Sequence, residues 1–153
     1  MTATDPDREL REAIDVFDTA LATPVVSGEL AVWSDEVRAA WARLSPLVHH
    51  QMVTFHPKQY DEITRQDPEL FAQVDKLKVE DAAILEEQSS FDASVSRLAN
   101  LAPLVEPDER KFDDYQAKLR KDGAAFTTHV KQQQVAVQTW YIEAFNRDRG
   151  VAD

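Results

Sequence analysis

An acid interrupts an otherwise well-patterned helical seam in this chain. A 4-3-4-3 walk from Leu70 reads Leu70, Val74, Leu77, Asp81, Ile84, Gln88, Phe91, Val95, Leu98 and Ala102. The walk therefore predicts a buried Asp81. A carboxylate without a partner is too costly to hold in a core, so Asp81 must be neutralised, paired or metal-bound. A chain reversal near Leu104 matches Asp81 to about residue 127 of an antiparallel hairpin, which makes His129 the expected partner. Gln51 shares a helical face with Leu44, Val48 and Phe55, and Gln133 lies between Phe126 and Val137. Together with Gln88 these residues predict a polar layer centred on Asp81 and His129. Such a layer can be a hydrogen-bonded network without metal. Alternatively, Asp81 and His129 ligate one divalent ion, with water and a flanking Glu80 or a glutamine carbonyl completing the shell.

The other reactive side chains carry weaker signals. His49 and His50 fall roughly 130° from the seam of their helix and read as surface residues. His56, next to Pro57, reads as a loop residue. Glu86 and Glu87 lie off the seam, on a solvated face. Ser89, His129 and Asp92 can be written as a triad, but no strained elbow or oxyanion loop accompanies them. No glycine-rich phosphate loop is present, and Trp33, Trp41 and Trp140 read as core packing. No catalytic residue is assigned.

Long helices must position these residues. The chain has 153 residues, three glycines and no cysteine, which predicts a single all-helical domain over residues 1–153 and removes disulfides and thiol chemistry. The formal charge of −11 repels phosphate backbones and anionic lipid, so no nucleic-acid partner is expected. No apolar run approaches a bilayer span and no leader is evident at the start. The expectation is therefore no membrane partner and a cytoplasmic location.

Four helices are predicted. The first starts at Asp5 and Pro6 and buries Leu10, Ile14, Phe17 and Leu21; Pro24 ends it. The second runs from about Glu29 to Phe55, with a kink expected near Ala42 because of Pro46. The stretch "FHPKQYDEITRQD" is expected to be a connection with one helical turn at most. Asp67 and Pro68 start the third helix, which continues to about Leu101. "APLVEPDE" makes the reversal. The fourth helix spans about Asp108 to Asp148, with Gly123 marking a close contact and Gly150 as the stop. Short joints predict an up-down-up-down antiparallel four-helix bundle.

The same motifs resemble the hemerythrin-like, HHE cation-binding bundles. "LKVEDAAILEE" looks like that family's L-x-x-E-H-x-x-L segment with Asp81 in the place of a His. "FTTHVKQQQVAVQTW" resembles its final-helix motif, with His129 matching and Gln133 replacing the carboxylate. "PLVHHQMVTFHP" resembles the second-helix motif in either of two registers. If Pro57 is matched, Leu47 and Gln51 take the His and Glu places; if His50 is matched, Thr54 takes the Glu place. The resemblance implies a hemerythrin-like bundle whose diiron ligand set is incomplete. The function that follows is a non-catalytic interaction or regulatory module without a cofactor. The alternative is an iron or other divalent-metal sensor using Asp81 and His129. A protein partner or a homodimer is expected through an apolar patch of Val25, Val26 and Val32 with Tyr141 and Phe145, the end of the last helix overhanging onto the first helix or a second copy.

Overall fold

Asp5 and Pro6 begin a helix for the reasons the sequence supplies. The Asp5 carboxylate accepts the Asp7 amide at 3.0 Å, and Pro6 occupies the first turn, where no amide is needed. This helix, α1 (Pro6–Ala22), buries Leu10, Ile14, Phe17 and Leu21, the predicted stripe. The computed structural model describes residues 5–26, 28–101 and 110–151. Among them all regular structure is helical. Gly28 turns the chain after α1 with φ of 86°, a backbone conformation that a side chain would strain. Arg120 seals the same end. Its guanidinium donates to the carbonyls of Leu21 and Thr23 at 2.7 and 2.8 Å and lies 5.5 Å from the Trp33 ring, placing a cation at the negative end of the α1 dipole.

The second rod departs from expectation. Helix α2 (Leu30–His50) passes without a break through a π turn (Gln51–Phe55) into α3 (His56–Gln66). The segment expected to be a connection is thus eleven residues of helix. Pro57 would clash with the carbonyl four residues before it in a regular α-helix. Here the amide of His56 bonds back five residues to the Gln51 carbonyl, and this wider turn accommodates the proline. One extra residue in the turn also rotates everything after it. The buried face runs Leu44, Val48, Gln51 and Met52 before the turn, and His56, Tyr60 and Ile63 after it.

Asp67 accepts the Glu69 amide and opens a 3-10 turn (Pro68–Leu70) that leads into α4 (Phe71–Leu101). Every seam residue from Leu70 to Leu98 is buried, Asp81 and Gln88 included. Ala102 and the expected reversal 102–109 lie outside the described residues. The last helix, α5 (Arg110–Val151), continues through Gly150 rather than stopping before it. Tyr115 donates to the Ser94 carbonyl, His129 reaches Glu87 and Glu80, and Gln133 reaches Asp81 and Leu77.

Two apolar clusters result. In the larger, one aromatic from each rod meets the others: Trp41 lies 5.5 Å from Phe17, 4.8 Å from Phe91 and 5.5 Å from Phe126. These tilted pairs contribute about 0.5–1.5 kcal/mol each beyond burial. The smaller cluster joins Tyr60 and Ile63 of α3 to Leu70, Val74 and Leu77, and to Val137 and Ala144 of α5. The far end of α5 therefore packs on α3 and the start of α4 rather than on α1, one of its two expected partners. The apolar patch separates accordingly. Val26 and Val32 are exposed near the end held by Arg120, while Tyr141 packs against Phe145 with tilted rings roughly 30 Å further along α5.

Gly123 faces the aromatic centre. A methyl group there would overlap the end of the Leu21 side chain and lie 3.1 Å from Phe91 and 3.5 Å from Phe17. Gly123→Ala improves helix propensity yet is expected to destabilise the protein by about 1–2 kcal/mol through overpacking. Urea unfolding of the two proteins measures the sign directly.

Candidate functional site

Asp81 is 5 % exposed and its carboxylate takes three donors. Tyr60 Oη donates to Oδ2 at 2.7 Å; Gln133 Nε2 donates to Oδ1 at 2.9 Å; His56 Nδ1 lies 3.0 Å from Oδ1. Three helices supply these groups: α3 gives His56 and Tyr60 one turn apart, α4 gives Asp81, and α5 gives Gln133. Gln133 also donates to the Leu77 carbonyl at 2.8 Å, which fixes its amide with nitrogen toward the acid.

The hydrogen-bond pattern sets the state of the imidazole. Gln51 Nε2 lies 2.7 Å from Asp7 Oδ1 and 3.2 Å from His56 Nε2. An amide nitrogen donates and cannot accept. It therefore gives one hydrogen to the Asp7 carboxylate and the other to a bare His56 Nε2. The imidazole proton sits on Nδ1 and is donated to Asp81. Asp7 takes a further bond from Gln134 Nε2 at 3.3 Å. A continuous chain of side chains thus runs from half-buried Asp7 on α1 through Gln51 and His56 to Asp81. Burial, followed by the bond from its hydroxyl to Asp81 and that acid's charge, holds Tyr60 well above the usual phenol range, so Tyr60 remains a donor.

His129 is not the partner of Asp81. The inward positions of α5 are Phe126, Val130, Gln133 and Val137, which leaves His129 on the flank. Its Nε2 lies 2.7 Å from Glu80 and its Nδ1 2.8 Å from Glu87. Burial alone would lower the His129 pKa, but the bonds to Glu80 and Glu87 and their charges together raise it. The result is a partly exposed clamp between α4 and α5. Gln51 and Gln133 join the layer as expected. Gln88 is buried separately and donates to the carbonyl and hydroxyl of Ser45 at 2.8 and 2.7 Å. His49 and His50 are exposed, as expected.

The layer does not fit the diiron centre of the family that the motifs resemble. It offers one carboxylate and one imidazole, and both oxygens of the acid already accept hydrogen bonds. The carboxylates at His129 approach opposite nitrogens of its ring and so cannot converge with it on one ion. Among the described residues no three His, Asp or Glu side chains are grouped to hold a metal. His56 Nε2, the atom that would serve a general base, faces Gln51, and the residue is fully buried.

His56, Tyr60 and Asp7 were missed by the sequence reading. His56, Tyr60 and Ile63 do keep a 4-3 spacing, but it is one residue out of step with the walk Leu44, Val48, Gln51, Phe55. That offset was the available signal of a π turn.

Asp81→Ala strands three buried donors and is expected to cost about 3–5 kcal/mol, whereas His129→Ala is expected to cost about 1 kcal/mol or less; chemical denaturation of both variants checks the ordering. The His129 clamp also has a pH signature. Its folded pKa lies above the unfolded value of 6.5, so its contribution is fully present below that value and is lost as pH rises through the folded pKa. The stability difference between the wild type and His129→Gln should accordingly be larger near about pH 6 than near about pH 9. No family model, curated protein or solved structure matches the chain.

Proposed function

We propose that the chain is a non-catalytic regulatory or interaction module built as a hemerythrin-like, up-down-up-down antiparallel four-helix bundle, with a hydrogen-bonded layer where that family holds metal. The pairings Tyr115 with Ser94 and Gln133 with Leu77 and Asp81 support the antiparallel arrangement, because the residue numbers rise on one helix as they fall on the other. Three of the positions that the resemblance marks, Gln51, Asp81 and Gln133, meet in one layer.

One observation carries the reading: both carboxylate oxygens of Asp81 and both ring nitrogens of His56 are already paired with other side chains of the layer. A layer closed in this way gives conformational definition to a bundle and leaves no free ligand atom pair for an ion. The sensor alternative rested on Asp81 and His129 acting together, and the two side chains hold different partners. A protein partner or a second copy remains the proposed counterpart of the module.

Calorimetric titration of chelator-treated protein with Fe(II) and with Zn(II) tests this. No saturable binding at micromolar metal is expected. Saturable micromolar binding would overturn the proposal, and its loss in Asp81→Asn would assign that carboxylate as a ligand.

A further inference from the structure

We draw no further inference here: the strongest candidate, the groove of about 890 Å³ at the head of α1 between α3 and α5, is lined by an acidic cluster of Asp5, Asp7 and Asp15, and nothing else in the structure shows what would fill it.

Discussion

A negative charge in the middle of four helical rods is tolerable only while several donors point at it, and Asp81 has three. Each donor arrives from a helix other than α4. The requirement to keep them aimed fixes the rotation of α3 through His56 and Tyr60, and of α5 through Gln133. Apolar packing is permissive about small rotations; a set of convergent hydrogen bonds is not. The aromatic contacts around Trp41 supply cohesion between the rods, and the polar layer specifies which register that cohesion adopts.

Much of this was legible in the sequence. The 4-3 seam of α4 is buried at every position that the structure describes, the caps at Asp5 and Asp67 form as drawn, and Gly123 does sit against other helices. The burial of Asp81, Gln51 and Gln133 followed from periodicity alone. The identity of the histidine did not. Regular α-helical geometry carried forward from Val48 turns His56 outward and makes Pro57 look like an ending, so His129 seemed the nearer imidazole. The π turn reverses both inferences with a single added residue. His129 itself was placed within one position of the inward face, but Val130 takes that place, and one position on a helix is the difference between the core and a flank clamped by Glu80 and Glu87.

The division of the core has a similar origin. Helix α1 is 17 residues long, against 42 for α5, so the rods cannot all accompany one another to both ends. Where α1 begins, α5 relies on α3 and on the first turns of α4, and the cluster around Tyr60 and Ile63 forms. The bounds read from the sequence already made the first helix much shorter than the last; what they left unseen was that the second rod continues through α3 to accompany α5. The groove at the head of α1 is the outcome.

A helix that carries one supernumerary residue reads differently to a molecule and to an alignment. Any pattern that links the front half of the second rod to its back half by a constant number of letters will fail across residues 51–55, because the inner surface skips there. His56 and Tyr60 belong, in space, to the row that Leu44 and Val48 begin. Kinship with other bundles should therefore be sought with a one-letter gap allowed at that point, which would bring an inward imidazole into a column where ungapped comparison sees a phenylalanine.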